Sequence, residues 1–138
     1  MVRIFRAIPV LLLLAAAACS PSAPTITTSA PFSQTDLIVG TGTTAASGNT
    51  LTVSYTGWLF DSAQPNGEGA QFDTSPGYSF ALGQGAVIAG WDQGLVGMKV
   101  GGRRRLVIPP SLGYGDTRHN IIPPDATLVF EITLLAVQ

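Results

Sequence analysis

Only one stretch of this 138-residue chain reads as a helix, and it is short and laden with glycine. Within Gly83–Met98, Val87, Ile88, Trp91, Leu95 and Met98 recur at roughly helical spacing. Gly85, Gly90, Gly94 and Gly97 interrupt it, and each interior glycine costs about 1 kcal/mol relative to alanine. So short a helix is unstable alone and must be held by packing. The rest of the chain therefore has to supply a surface for it, with Trp91 and Leu95, one turn apart, as anchors. Glycines beside them allow close approach. Gly90 in particular would leave the base of a cavity open beside Trp91, unless these glycines merely cap and turn.

That surface reads as β. Leu51–Phe60 alternates, with Leu51, Val53 and Tyr55 on one face and Thr52, Ser54 and Thr56 on the other. Thr127–Leu135 does the same, with Leu128, Phe130, Ile132 and Leu134 facing one way and Thr127, Val129, Glu131 and Thr133 the other. Shorter strands are expected at Asp36–Val39, Gln71–Asp73, Tyr78–Leu82 and Arg103–Pro109. Pro76–Gly77 reads as a turn and Ser62–Gln71 as a polar loop. Most connections are too short for parallel crossovers. The predicted architecture is α+β: a five- to six-stranded antiparallel sheet curled around one short helix.

The first residues are set apart from the fold. Arg3 and Arg6 precede an apolar run, Ile8–Ala18, which is shorter than the 20 or so residues that span a bilayer. Residues 1–18 read as a signal peptide. Ala16-Ala17-Ala18-Cys19 resembles a bacterial lipobox, with Ala16 where the pattern usually has leucine. Cys19 is the expected lipidation site, and the chain is expected to be exported to the periplasm and anchored to the outer membrane. The alternative is ordinary cleavage and a soluble secreted protein. Residues 19–34, rich in Ser, Pro, Thr and Ala, read as a flexible tether, and residues 35–138 as the folded domain.

Loss of Arg3 and Arg6 leaves five basic and eight acidic side chains, a formal net charge of −3. Nothing in that balance attracts nucleic acid. A single cysteine excludes an intrachain disulfide. The one histidine, His119, has no second ligand at metal spacing, and neither metal nor cofactor is called for. There is no G-x-S-x-G elbow and no P-loop, and the G-x-G-x-x-A of Gly40–Ala45 is not followed by a helix pattern. Asp36, Asp61, Glu68, Asp92, Asp116 and Asp125 are expected to be solvated. Asp73, following Phe72 at an aromatic-rich turn, stands apart. Arg103-Arg104-Arg105 alternates across a strand and is expected to form a solvated edge. What is abundant is ring and branched side chains in strand ends and loops, enough for some to line a pocket.

Four segments carry a closer likeness: VSYTGWLFD (Val53–Asp61), QFDTS (Gln71–Ser75), Phe80–Gly115 with V-I-x-G-W and L-G-Y-G, and IIPPDATLVFEITLL (Ile121–Leu135). In these the chain resembles the FKBP-type peptidyl-prolyl cis/trans isomerases, in an exported, lipoprotein-like bacterial form. The resemblance implies the same sheet-and-helix fold and a hydrophobic pocket between sheet and helix. It implies catalytic roles for Tyr55, Phe72, Asp73, Trp91, Tyr114 and Phe130, with Trp91 as the pocket floor. It places Tyr78, Val87, Ile88, His119 and Ile122 at substrate-binding positions. Partners implied are proline-containing polypeptides and macrolide inhibitors, with membrane contact only through a lipidated Cys19. The chain departs from the family in a longer Ser62–Ala70 loop, in having no arginine at Thr74–Gly77, and in an Asp116–Asn120 loop about one residue short.

The activity expected is acceleration of X-Pro isomerisation in exported proteins. The other reading is a lipid-anchored chaperone or binding module that grips proline-containing segments without turnover. Binding without rate enhancement would separate the two.

Overall fold

The computed structural model describes residues 27–138. The signal peptide and Cys19 lie outside them. Among the described residues are five strands: β1 (Ser33–Ile38), β2 (Thr50–Phe60), β3 (Glu68–Ala81), β4 (Arg103–Ile108) and β5 (Leu128–Val137). All pair antiparallel in one sheet of order β1-β4-β5-β2-β3. One helix, α1 (Ala89–Gly94), packs on its inner face. Among these residues no helix is long and apolar enough to cross a membrane. Ser33 and Gln34, expected in the tether, already pair with Val107 and Leu106.

Period-2 alternation builds the inner face. Leu51, Val53, Leu106, Ile108, Leu128, Ile132 and Leu134 are fully buried there, each stabilising the fold by about 1.5–3 kcal/mol. Trp91 and Leu95 project from α1 into that layer. The outer face is not wholly wet. Val129, on the polar phase of β5, is also fully buried, because Trp58 and Val107 flank it across the strands.

Three expectations need correction. Gln71–Asp73 and Tyr78–Leu82 are not separate strands but parts of the single β3. Pro76 and Gly77 oppose Ser54 alone, a bulge that the ladder absorbs because β3 is an edge and the missing proline N–H takes nothing from a neighbour. The polar loop is correspondingly shorter: a 3-10 turn at Pro65–Gly67 leads directly into Glu68.

The arginine run is not a solvated edge either, since β4 lies inside the sheet. Arg104 is only 6 % exposed. Its guanidinium donates to Asp36 on β1 (2.6 Å) and to the Gly94 and Val96 carbonyls at the end of α1 (2.7 and 3.2 Å). On the outer face, Arg103 and Arg105 both donate to Glu131, at 2.6 and 2.9 Å. Asp36 thus has a partner while remaining part-exposed, and Glu68, expected to be solvated, is half-buried 3.7 Å from Arg105 Nε.

The glycines of α1 serve packing rather than the cavity. A Cβ on Gly90 would stand 2.7 Å from the Ile108 side chain, and one on Gly94 2.7 Å from Leu106. One turn apart, the two let the helix backbone lie directly on β4. The helix is also shorter than the periodic stretch. Gly83 (φ 78°) and Gly85 (φ 71°) hold left-handed backbone before it, and Gly97 (φ 86°) after it.

Candidate active site

Between β2, β3, β5 and the N-terminal end of α1 opens a pocket of about 460 Å³. Its lining is Tyr55, Phe72, Asp73, Tyr78, Ala86, Val87, Ile88, Trp91, Tyr114 and Phe130. The inward phase of β2 and β5 supplies Tyr55 and Phe130, and β3 supplies Phe72, Asp73 and Tyr78. Residues 86–88, leading into α1, form one wall.

Trp91 is the floor, 4 % exposed. Tyr55 and Phe130 stand edge-on to it, with centroids 5.0 and 5.2 Å away at 80° and 86°. Phe80, buried behind, packs at 5.5 Å. Phe72 meets Phe130 at 5.5 Å and 90°. Such T-shaped pairs add about 0.5–1.5 kcal/mol each beyond the area they bury, so the rings hold one another in place. Gly57 makes room for the pair, because a Cβ there would come within 2.7 Å of Phe72 and 2.8 Å of Phe130. The Trp91 indole N–H is buried without a hydrogen-bond partner.

The polar groups are few. The Tyr55 hydroxyl donates to Asp73 Oδ2 at 2.6 Å, and Asp73 Oδ1 accepts the Thr74 N–H at 2.8 Å. Burial, then the Asp73 carboxylate, push the Tyr55 phenol well above the usual tyrosine range. Burial and the charge of Asp73 raise Tyr114 as well. Both phenols stay protonated donors at neutral pH. Among the described residues the Ile88 N–H, at the start of α1, also has no partner.

His119 and Ile122 lie outside this pocket. They line an adjoining hollow of about 130 Å³ that shares Phe72, Asp73 and Tyr114. The two exchange backbone hydrogen bonds (3.1 and 2.9 Å), closing a tight loop. The His119 ring lies flat on Tyr114, centroids 4.2 Å apart at 3°. Ala86 and Gly57 were not singled out from the sequence. Neither carries a chemical signal: one is a small wall residue, and the other matters only for the rings it admits.

The arrangement has no nucleophile flanked by a base. It offers a deep ring-lined hollow, a few neutral donors at its edge and one carboxylate already engaged by Tyr55. That suits binding an apolar ring and an adjacent peptide.

The model of the FKBP-type peptidyl-prolyl cis-trans isomerase family matches residues 41–135. The chain is 46% identical over 107 residues to an FK506-binding protein of Neisseria meningitidis serogroup B, covering 74% of this chain and 92% of that protein. It is 52% identical over 97 residues to FK506-binding protein 2B of Rhizopus delemar, covering 67% of this chain but only 44% of that longer protein. The crystal structure of a peptidyl-prolyl cis-trans isomerase from Pseudomonas syringae pv. tomato superposes with a TM-score of 0.65 at 35% identity, over 85% of this chain and 84% of that one.

Proposed function

Since the chain belongs to the FKBP-type peptidyl-prolyl cis-trans isomerases and is an enzyme of that kind, we propose that X-Pro bonds turn over in the pocket floored by Trp91. Proline isomerisation breaks no bond. Its barrier, about 18–20 kcal/mol, is the loss of amide resonance as the C–N bond twists, and unaided it takes tens to hundreds of seconds. A catalyst therefore needs to bind the twisted amide better than the planar one. The twisted amide has lost charge separation and depends less on water.

In this reading the pyrrolidine ring sits on Trp91, with Tyr55, Phe72 and Phe130 around the imide and Tyr78 and Val87 as walls. Tyr114 and the Ile88 N–H hold the flanking peptide by hydrogen bonds. Asp73 keeps the Tyr55 hydroxyl turned toward β3. His119 and Ile122 contact the peptide beyond the main pocket. The observation that carries the reading is the open hollow with a buried indole at its base, walled by edge-on rings. The same hollow would admit the proline-like portion of a macrolide, consistent with the names of the FK506-binding relatives.

The natural substrates proposed are exported polypeptides. Support comes from the basic start, the apolar run and Ala16–Cys19 at the N-terminus. Mass spectrometry of the mature N-terminus tests the anchor: a diacylglyceryl-modified Cys19 supports the anchored form, an unmodified Cys19 at a cleaved N-terminus leaves the soluble secreted form, and an uncleaved chain overturns export.

The pocket itself is tested with Phe130→Leu and Trp91→Leu in a protease-coupled X-Pro assay. Each should lose at least about tenfold in kcat/KM, or roughly 1.4 kcal/mol of transition-state stabilisation, while still unfolding cooperatively. Full activity in the folded Phe130→Leu enzyme would sink the assignment.

A further inference from the structure

The wall made by residues 86–88 belongs to a loop with little to hold it. Among the described residues, of the N–H groups of residues 83–88 those of Gly83 and Gly85 alone have hydrogen-bond partners, and both go to one side chain. Asp92 Oδ1 accepts from Gly83 at 2.8 Å, and Asp92 Oδ2 accepts from Gly85 at 3.1 Å. Both glycines sit at positive φ, so the loop is wound into a shape that turns its N–H groups toward the carboxylate. Asp92 was expected to be a solvated residue of the helix surface. Instead it reaches back from the first turn of α1 and clamps the loop that precedes it.

The clamp has a consequence for the pocket. Asp92 follows Trp91, the floor, in the chain. The loop it holds supplies Ala86, Val87 and Ile88, the wall, and the unpartnered Ile88 N–H. The backbone joins them too at the helix start, where the Ile88 carbonyl accepts from the N–H of Trp91 (3.0 Å) and of Asp92 (3.3 Å). Floor and wall are thus fixed to each other by these helix-start bonds and by the Asp92 carboxylate. We propose that Asp92 is a positioning residue for isomerisation. By holding Gly83 and Gly85 it presets the Val87–Ile88 wall and aims the Ile88 N–H at the peptide flanking the substrate proline. It touches no substrate itself, and the proposal rests on the pocket being the site of turnover.

Contacts from the wall to the flanking peptide are made in the planar and the twisted state alike, so their loss raises KM more than it lowers kcat. The carboxylate accepts both bonds, whereas an asparagine offers one acceptor oxygen. Asp92→Ala and Asp92→Asn are compared with the unmodified chain in steady-state X-Pro isomerisation, alongside amide exchange at Gly83 and Gly85 and the unfolding midpoint. Asp92→Ala is expected to raise KM about fivefold to tenfold, less than the full worth of two charge-assisted hydrogen bonds because their loss reaches the substrate only through the loop, and to change kcat by about twofold or less. Exchange at Gly83 and Gly85 should quicken, and Asp92→Asn should fall between on both measures. If exchange quickens while KM stays unchanged in both variants, the clamp is only structural and the proposal is overturned. An equal fall in kcat with unchanged KM overturns it too. Should Asp92→Ala fail to fold, Asp92→Asn alone decides by the same criteria. If Phe130→Leu is also fully active, it is the pocket assignment that has failed; loss of activity there with unaffected Asp92 variants removes this inference alone.

Discussion

The Tyr55 hydroxyl donates a 2.6 Å hydrogen bond to Asp73 Oδ2, joining β2 to β3 where both line the pocket. Tyr55→Phe and Asp73→Ala each remove it without emptying the hollow. Each should reduce kcat/KM by about fivefold, the effect of roughly 1 kcal/mol, less than truncation of Trp91 or Phe130. An effect as large as theirs would show that the carboxylate acts on substrate directly.

The same bond shapes the alkaline limb. Tyr55 is raised by burial and by Asp73, so its folded value lies above its unfolded one. Its contribution to stability is intact below about pH 10 and falls as pH rises from there. In Asp73→Asn the carboxylate is gone and burial remains. The ultraviolet phenolate titration assigned to Tyr55, by difference from Tyr55→Phe, should move down toward the ordinary range. No movement would mean burial alone holds it.

Gly90→Ala tests the contact of helix with sheet. Helix propensity alone predicts stabilisation by about 1 kcal/mol. The 2.7 Å approach of a Cβ to Ile108 predicts the opposite, a loss of about 1–3 kcal/mol from overpacking. In an Ile108→Val background the loss should shrink, because a terminal methyl is removed from the collision. Chemical denaturation of the four proteins in that cycle gives the sign, and a stabilised Gly90→Ala protein would refute the packing account.

Arg104 is expected to matter more to stability than either neighbouring arginine. Arg104→Ala leaves the Gly94 and Val96 carbonyls without their donor and Asp36, itself part-exposed, without its ion pair, at a cost of about 2–3 kcal/mol, most of it from the carbonyls. Arg103→Ala removes a half-exposed partner of Glu131, worth at most about 1 kcal/mol. Urea midpoints of the two variants should differ accordingly; equal midpoints would contradict the role given to the buried guanidinium.

Acid stability is predicted to run through Glu131. Burial pushes its carboxyl up, but hydrogen bonds from Arg105 and the charges of both arginines outweigh burial and hold it below the usual glutamate range. A lowered folded value contributes stability that is present above about pH 4.3 and is lost as pH falls through the folded value. Glu68 works against this. Burial and the neighbouring Glu131 raise it, so its contribution is present at low pH and lost as pH rises through its folded value. Glu131→Gln should therefore flatten the fall in melting temperature below pH 4.3. An acid limb as steep as before would place the titration elsewhere.

Read as a sequence, the chain already showed which residues face inward. Alternation in Leu51–Phe60 and Thr127–Leu135 is a local, period-2 property, and it marked Leu51, Val53, Phe130 and Ile132 for the core. Trp91 and Leu95, one turn apart in a stretch too short to stand alone, marked the helix as something to be packed upon. Motif likeness then brought Tyr55, Phe72, Asp73, Trp91, Tyr114 and Phe130 together, and the folded chain does line one hollow with all six. Strand neighbours were not written there. Whether Arg104 is solvated or buried depends on β4 lying between β1 and β5, and whether Asp92 faces water or a loop depends on how that loop doubles back. Nor could spacing distinguish a glycine that opens a cavity from one that admits Ile108. These are facts about what lies across space from a residue, and side-chain periodicity reports only which way a residue points.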